Sequence, residues 1–429
     1  MFQSSPNHIE SYYAASSRAL QLQRPALQQD MEVDVVVIGA GYTGLYTALN
    51  LAEGGRSVVV LEASRIGWGA SGRNGGQVIV GFSCDMPPFE LALGKSGSRE
   101  VWRLTQDAAQ EIRRRIADHS IECDFSEGHL WTSVLERRVQ LLLNWQDEAS
   151  RKWGYDRLRF IPKAELHRYV GSNRYQAGLI DAGGGHLHPL KYALGLAEAA
   201  EKAGVRIFET TRAARYVERT DAVEVHADRG KIRANQIVLA CGAFVDQLDR
   251  RLQSRILPVG TYMIATEPLG EQRARSLLPT GCAVSDNQFV LDYFRLSADH
   301  SLLFGGKCTY TGRTPGRLTE GMRNDMLQVF PQLADVKIAY TWGGHIDITM
   351  GRTPDFGQLR NVFWAQGFSG HGVVPTCVAG RVLAEAILGD DTHLRLFSGL
   401  KNRPFPGTET LAGLFQVLGM SYYRLRDYV

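Results

Sequence analysis

Three glycines near the start of the chain have the spacing of a site for nucleotide phosphates. Gly39, Gly41 and Gly44 follow the β-branched run at 33–38 in the pattern G-x-G-x-x-G. In a strand–turn–helix unit, the first glycine makes the tight turn and the second lets the backbone approach a pyrophosphate. The third lets the helix pack closely on the strand. The phosphates then lie at a helix N-terminus, where free N–H groups favour negative charge.

An acidic residue stands where such a unit binds a ribose. The apolar run 57–61 ends at Glu62, about twenty residues beyond the glycines. A carboxylate at this position accepts hydrogen bonds from ribose hydroxyls, whereas a 2′-phosphate would call for a basic residue. The alternative is an ordinary glycine turn in an α/β domain. The dinucleotide reading predicts binding by Gly39, Ala40, Gly41, Tyr42, Thr43, Gly44, Glu62 and Ala63.

Two later segments also end apolar strands in small residues. The run 236–241 leads into a turn at Ala240 and Gly242, which is typical of a sheet edge beneath a ligand. The run 362–365 leads into the glycine-rich turn 367–372, and a helix is predicted over 374–388. A glycine-dense polar loop at 66–77 follows Glu62 and is not a core element.

The elements that position these turns recur along the chain. Helical periodicity marks 98–118 and 135–152, and strand-like alternation follows 257. We therefore predict an α/β chain, with a Rossmann-like nucleotide-binding domain interleaved with a mixed-sheet substrate domain. The predicted division is an N-terminal extension at 1–31, the nucleotide domain at 32–83, 175–256 and 341–395, the substrate domain at 84–174 and 257–340, and a tail at 396–429.

Composition narrows the class of protein. The chain has 429 residues, 44% of them hydrophobic and 22% charged, as in soluble globular proteins. A net charge of +3 gives no sign of a nucleic-acid partner, and six cysteines do not form a disulfide framework. Neither metal-ligand spacing nor a nucleophile motif is present. With no signal peptide or membrane-length segment in the sequence, we expect a cytoplasmic protein.

Taken together, the motifs resemble a known superfamily over nearly the whole chain. The turn 39–44 with Glu62, the loop 67–77 and the turn 367–372 resemble the FAD-dependent oxidoreductases of the D-amino-acid oxidase and sarcosine oxidase superfamily. A nicotinamide enzyme needs no second phosphate-approaching turn about 300 residues after the first. Within the superfamily, similarity to the γ-glutamylputrescine oxidases lies in segments 11–16, 69–77, 370–372, 403–407 and 418–425.

The resemblance implies the cofactor and most of its binding residues. FAD is expected, and without covalent attachment, because no cysteine stands near Trp342, where the sarcosine oxidase branch has one. Arg73 is expected at phosphates or ring atoms; the alternative is a solvated loop charge. The further FAD-binding residues implied are Ala70, Ser71, Gly72, Arg73, Asn74, Gly75, Gly76, Gln77, Ala240, Gly242, Gly367, Phe368, Ser369, Gly370, His371 and Gly372.

Substrate residues are predicted more loosely. Amino-acid oxidases of this superfamily hold the α-carboxylate with an arginine in the strand before the last turn. Here the segment 342–349 contains no arginine, and the next arginine in the chain is Arg352. This absence favours an extended amine with a remote carboxylate. Tyr293 and Arg295 alternate on a strand and so share a face, where they would line a substrate cavity or form a sheet-surface pair. His345 is either a polar group near the site or a core histidine.

Three functions remain open at this point. The γ-glutamylputrescine oxidase resemblance implies oxidation of the amine end of a glutamylated polyamine by hydride transfer to flavin N5, giving an aldehyde, ammonia and hydrogen peroxide. Lys307 would assist the reaction with dioxygen; the alternative is an exposed strand-end lysine. The other two functions are a dehydrogenase that passes electrons to a quinone or carrier, and a flavin-binding protein without turnover. The sequence also leaves the oligomeric state open. The tail is amphipathic, and its apolar residues would pack either within the chain or on a partner: Leu411, Leu414, Phe415 and Leu418.

Overall fold

The computed structural model describes residues 5–288, 290–309 and 314–406. The helices within them are α1 Tyr12–Ser16, α2 Tyr42–Glu53, α3 Pro87–Asp118, α4 Val139–Trp153, α5 Pro189–Lys202, α6 Arg250–Gln253, α7 Glu271–Leu277, α8 Leu318–Val329, α9 Val373–Leu388 and α10 Thr392–Ser398. The strands are β1 Met31–Ile38, β2 Val58–Leu61, β3 Gln77–Val78, β4 Ser126–Ser133, β5 Leu158–Pro162, β6 Ala177–His186, β7 Arg206–Phe208, β8 Ala213–Glu218, β9 Val223–Ala227, β10 Gly230–Leu239, β11 Ile256–Thr266, β12 Ala283–Asp286, β13 Tyr293–Leu296, β14 Leu302–Thr309, β15 Ile338–Thr349, β16 Asp355–Leu359 and β17 Val362–Gln366.

The first sheet carries the glycine turn. Its order is β16-β17-β10-β1-β2-β7, and β1 is parallel to both β10 and β2. The run of valines in β1 and β2 is buried, as expected for central parallel strands covered on both faces. Helix α9 packs so closely on α2 that a Cβ on Gly380 would lie 2.3 Å from Tyr46 Cβ. Helix α9 therefore holds the helix that follows the glycine turn.

The second sheet provides the other wall of the site. Its order is β15-β11-β14-β13-β12-β4-β6-β3, with β5 paired to β6. One row of residues runs straight across it, because Tyr293 pairs with Ser285, Ser285 with Trp131, and Trp131 with Leu179. A core behind the sheet includes Phe294, whose ring stacks on a neighbouring phenylalanine of β14.

The predicted α/β class is confirmed, with two sheets whose strands interleave along the chain. The domain division stays a prediction, but three strands lie elsewhere than it assumed. Strand β3 was assigned to the nucleotide domain and pairs with β6 in the second sheet. Both β6 and most of β15 were assigned to the nucleotide domain, yet each pairs within the second sheet. Helix α3 begins earlier than the periodicity indicated and is kinked at Gly94, whose φ is +67°. Of the predicted tail, residues 407–429 lie outside the described residues, so the predicted packing of Leu411, Leu414, Phe415 and Leu418 lies there too.

Candidate functional site

A cavity of about 2080 Å³ is lined by residues of both sheets. A site for one drug-sized molecule measures about 300–1,000 Å³, so this cavity has room for a dinucleotide and a second molecule. The carboxyl ends of β1, β2 and β10 open into it, through Ile38, Leu61 and Ala240. In open α/β sheets this is the edge at which ligands bind.

The glycine turn is built from backbone contacts that leave no room for side chains. Gly39 has a φ of +108°, and a Cβ there would lie 2.6 Å from the Ala240 carbonyl oxygen. A Cβ on Gly44 would lie 1.9 Å from the Gly39 carbonyl oxygen. The Tyr42 N–H donates to Ser71 Oγ at 2.9 Å, which joins the turn to the second glycine loop. The predicted roles of Gly39 in the turn and of Gly44 in helix packing therefore have a steric basis, while the approach of a pyrophosphate to Gly41 stays a prediction.

Glu62 lies at the end of β2 and is already oriented by the turn. Its Oε2 accepts from the Ala40 N–H at 2.9 Å, and its Oε1 accepts from the Ser64 N–H at 2.8 Å. Burial raises the pKa of the Glu62 carboxyl, although these two backbone donors oppose the rise. Each oxygen keeps a lone pair for a ribose hydroxyl.

The late turn is held by a carboxylate that the sequence reasoning missed. The Gly367 N–H donates to Asp347 Oδ2 at 2.5 Å, and the Ser369 N–H donates to the Asp347 carbonyl at 2.9 Å. Burial raises the pKa of Asp347 to about 6. The sequence did contain a signal for Asp347. Along β15, His345, Asp347 and Thr349 alternate with isoleucines and therefore share one face of the strand.

His371 lines the cavity as a neutral group. Its Nε2 lies 3.0 Å from the Ile79 carbonyl oxygen, so this nitrogen donates and carries the proton. Burial lowers the pKa of His371, which favours the uncharged ring. The neighbouring members of the turn that line the cavity with it are Phe368, Ser369, Gly370 and Gly372.

The segment 70–77, after β2, contains residues that line the cavity and three, Gly72, Arg73 and Gly76, that do not. Ala70, Ser71, Asn74, Gly75 and Gln77 line the cavity. The Gln77 Nε2 atom is buried and has no hydrogen-bond partner among the described residues. A buried donor without a partner costs free energy, so a ligand acceptor here would stabilise the loop.

Arg73 is not among the described residues that line the cavity, and its expected contact with the cofactor stays a prediction. Its guanidinium carbon lies 4.1 Å from the centroid of the Trp68 ring, and its Nη1 donates to the Gly343 carbonyl at 3.3 Å. Burial lowers the pKa of Arg73 to about 10. The residue is therefore neither a solvated loop charge nor a wall of the cavity, because Trp68 and β15 enclose it.

Tyr293 and Arg295 share a face of β13 as predicted, but only Tyr293 lines the cavity. The Tyr293 ring packs between Gly75 and Gly305, since a Cβ on either glycine would overlap it. Arg295 is 2% exposed, and its Nε donates to the Gly75 carbonyl at 2.7 Å. The expectation for Arg295 is thus corrected: Tyr13 of α1 covers it, and it supports the loop from behind.

Lys307 and His345 both line the cavity. Lys307 Nζ lies 2.5 Å from Asp325 Oδ2, so an ion pair at the rim offsets part of its charge. Burial, followed by the charge of Arg73, lowers the pKa of His345. His345 also packs edge-on against Phe244, with 6.2 Å between ring centroids.

These residues fit FAD. The glycine cradle would hold the pyrophosphate, Glu62 the ribose, and the late turn with Gln77 the flavin end. The fit rests on the missing space for Cβ atoms at Gly39 and Gly44 and on the unpartnered Gln77 amide. Among the described residues there is neither a cluster suited to a metal ion nor a helix long and apolar enough to span a membrane.

The chain is similar to known oxidoreductases over its full length. A family model described as DAO, FAD dependent oxidoreductase, matches residues 34–386. The chain is 41% identical to a probable oxidoreductase OrdL of Haemophilus influenzae, over 98% of this chain and 97% of that protein. It is 40% identical to the γ-glutamylputrescine oxidoreductase of Escherichia coli, over 98% of both.

Solved structures agree on the fold. An L-amino acid deaminase from Proteus vulgaris superposes with a TM-score of 0.70 at 22% identity, covering 91% of this chain and 95% of that one. The predicted cofactor is confirmed by the family match, while non-covalent binding stays a prediction. The chain belongs to the DAO family of FAD-dependent oxidoreductases.

Proposed function

We propose that this enzyme oxidises the terminal amine of a γ-glutamylated polyamine such as γ-glutamylputrescine. The observation that carries the proposal is the 40% identity to the E. coli γ-glutamylputrescine oxidoreductase across 98% of both chains. Similarity of this extent covers the substrate sheet as well as the nucleotide-binding part. A shared cofactor fold would need only the latter.

The wall beside the late turn supports an amine whose carboxylate is remote. Strand β15 contains no arginine, and its buried carboxylate, Asp347, is bonded to the Gly367 N–H. A small α-amino acid would bring its carboxylate close to the reacting carbon and would need a cation there. An extended amine has no such requirement, because its charged head lies elsewhere in the cavity.

The chemistry balances as a two-electron oxidation. FAD held by the glycine turn, Glu62 and the late turn would supply a two-electron acceptor for the carbon that carries the amine, and dioxygen would take up the two electrons as hydrogen peroxide. The imine of the substrate then takes up water and releases an aldehyde and ammonia. The reacting amine must be neutral, and a buried position beside Tyr293 favours loss of its proton.

Anaerobic mixing of the holoenzyme with γ-glutamylputrescine tests the proposal. We expect bleaching of the flavin absorbance near 450 nm, and recovery in air with one peroxide formed per flavin reoxidised. Bleaching that air reverses only slowly, but that a quinone reverses quickly, favours the dehydrogenase instead. No bleaching with any glutamylated diamine overturns the substrate assignment, and no bleaching with any amine favours a flavin-binding protein without turnover.

A further inference from the structure

The cavity extends well beyond the flavin-binding turns, along a row of residues on the second sheet. Tyr293, Ser285, Trp131 and Leu179 are paired across four adjacent strands and all line the cavity. The three spacings between these four strands add up to about 14 Å from Tyr293 to Leu179. The row starts at Gly75, against which the Tyr293 ring packs, and so leads away from the cofactor loop.

The middle of this path is aromatic. Trp145 of α4 meets Trp131 edge-on, with 5.8 Å between ring centroids, and both rings line the cavity. Leu141, one helical turn before Trp145, lines the same wall. Such a surface suits the methylenes of a diamine, which gain free energy by leaving water.

A cation and an acceptor meet beside this row, just beyond the ends of its two middle strands, β4 and β12. Arg138 stands at the start of α4, and its Nη1 donates to the Asn287 carbonyl at 2.9 Å. The Asn287 Nδ2 donates back to the Arg138 carbonyl at 3.3 Å. Both residues line the cavity. Asn287 Oδ1 is buried, and no hydrogen-bond partner for it exists in the described part of the chain.

The charge around this pair is of both signs. A guanidinium has five N–H donors in a planar fork, which suits a carboxylate. Asp286, next to Asn287, is fully buried, and its carboxylate accepts from the Gln288 N–H at 3.0 Å and from Gln288 Nε2 at 2.7 Å. Asp286 lines the same cavity as Arg138 and Asn287. Carboxylate and ammonium on one carbon would match this arrangement.

We propose that Arg138 and Asn287 bind the α-amino acid head of the substrate, with the carboxylate on the Arg138 guanidinium and the ammonium on Asn287 Oδ1. The assignment rests on the proposed function, since it takes the reacting amine to lie at the Tyr293 end. A glutamylated four-carbon diamine, fully extended, spans on the order of 13 Å at normal chain dimensions. The cavity has room for a molecule of this length, because the row of lining residues from Tyr293 to Leu179 alone covers about 14 Å.

Substrate analogues test the subsite in the wild-type holoenzyme. The apparent Kd comes from the concentration dependence of anaerobic flavin reduction, with γ-glutamylputrescine, its analogue lacking the α-carboxylate (4-aminobutyryl-putrescine) and its analogue lacking the α-amine (glutaryl-putrescine). We expect about 10- to 100-fold weaker binding without the carboxylate and about 3- to 10-fold weaker binding without the amine. The limiting reduction rate should change by less than about 3-fold.

Variants then assign the carboxylate contact to its residue. Arg138→Gln should weaken binding of γ-glutamylputrescine about 10- to 100-fold and leave 4-aminobutyryl-putrescine unchanged, and Arg138→Lys should recover part of the loss. Arg137→Gln is the matched control, because it removes the same charge from a residue that does not line the cavity. Equal losses for both substrates would mean a structural role for Arg138 and would overturn the proposal.

The two proposals fail in different ways. If γ-glutamylputrescine does not bleach the flavin, the proposed function is wrong. If it bleaches the flavin with the same Kd as the analogue lacking the carboxylate, only the subsite is wrong. The wild-type comparison decides this even if an Arg138 variant does not fold.

Discussion

The two ends of the cavity are built from different parts of the chain. At the nucleotide end, the contacting groups are backbone atoms of short segments, and Gly39 and Gly44 lie where a Cβ would meet a carbonyl oxygen. At the end that we propose for the substrate, side chains such as Tyr293, Trp131 and Arg138 come from separate strands of the second sheet and from the start of α4. One end therefore depends on the absence of side chains, and the other on their identity.

This difference predicts different responses to substitution. Backbone close contacts leave no alternative arrangement, so a single methyl group displaces a whole helix. Side chains on a sheet face can be exchanged one at a time, with losses of the size of single contacts. Substitutions at the two ends should thus separate cofactor binding from substrate binding.

The largest effect is expected for Gly44→Ala. The added Cβ would lie 1.9 Å from the Gly39 carbonyl oxygen, and neither backbone segment can move without separating α2 from β1. We expect FAD binding to weaken by about 1,000-fold, or about 4 kcal/mol. Titration of the apoprotein with FAD, followed by flavin fluorescence, measures the Kd. Gly316→Ala is the control, since nothing lies within 4 Å of a Cβ there. An unchanged Kd for FAD in Gly44→Ala would show that the nucleotide end does not depend on the absence of a side chain at this position.

A smaller effect is expected for Asp347→Asn in the apoprotein. Burial raises the pKa of Asp347 to about 6 in the folded state. Because the folded pKa lies above the unfolded one, the stabilising contribution is present below about pH 4 and is lost as the pH rises towards 6. The neutral amide removes this loss and keeps an acceptor for the Gly367 N–H.

We therefore expect the variant to gain up to about 3 kcal/mol of unfolding free energy, relative to wild type, between pH 4 and pH 7. Urea unfolding at both pH values measures the difference. The exposed Asp228→Asn serves as the control. Parallel pH dependences of Asp347→Asn and wild type would show that Asp347 is ionised in the folded state at the same pH as in the unfolded chain.

The Lys307→Met substitution tests the predicted role in the reaction with dioxygen. A cation at the cavity wall stabilises negative charge that develops on oxygen, but Asp325 offsets part of it. We expect reoxidation of the reduced enzyme to slow about 10-fold, with flavin reduction by substrate unchanged. Stopped-flow mixing with air-saturated buffer measures the rate. Asp325→Asn should not slow the same step. If Lys307→Met is reoxidised at the wild-type rate, Lys307 does not assist the reaction with dioxygen.

The smallest effect is expected for Trp145→Leu. The ring supplies one aromatic contact to the path along the sheet, so its loss should weaken binding of an extended amine about 5-fold, or about 1 kcal/mol. The Kd for FAD should not change. Leu143→Ala is the matched control, on the same helix but away from the cavity. A change in FAD affinity of Trp145→Leu would mean that the two ends are coupled.

The nucleotide end was predictable because its signals are local. The residues from 31 to 62 form one strand–turn–helix–strand unit, and the structure places Glu62 at the turn as the spacing indicated. The orientation of Arg73 and Arg295 was not predictable in this way. Each is covered by an aromatic side chain, and Tyr13, which covers Arg295, lies some 280 residues away in the chain. Periodicity carries no information about such distant packing.

The substrate end depends on strand order. Trp131 and Ser285 are neighbours only because β4 and β12 lie side by side, parallel, although about 150 residues separate them. Alternation places a residue on a face but does not select the neighbouring strand. Arg138 and Asn287 meet for the same reason, since each follows one of these two strands.

The order of the first sheet sets when the enzyme can take up its cofactor during synthesis. Strand β1 is made early, yet its neighbour β10 ends at Leu239, and helix α9, which packs on α2, ends only at Leu388. A nascent chain that has exposed the glycine turn still lacks one side of the groove and helix α9. FAD capture is therefore a late event, which follows release of nearly the whole chain from the ribosome. Until then, the cell must keep the buried valines of β1 from aggregating.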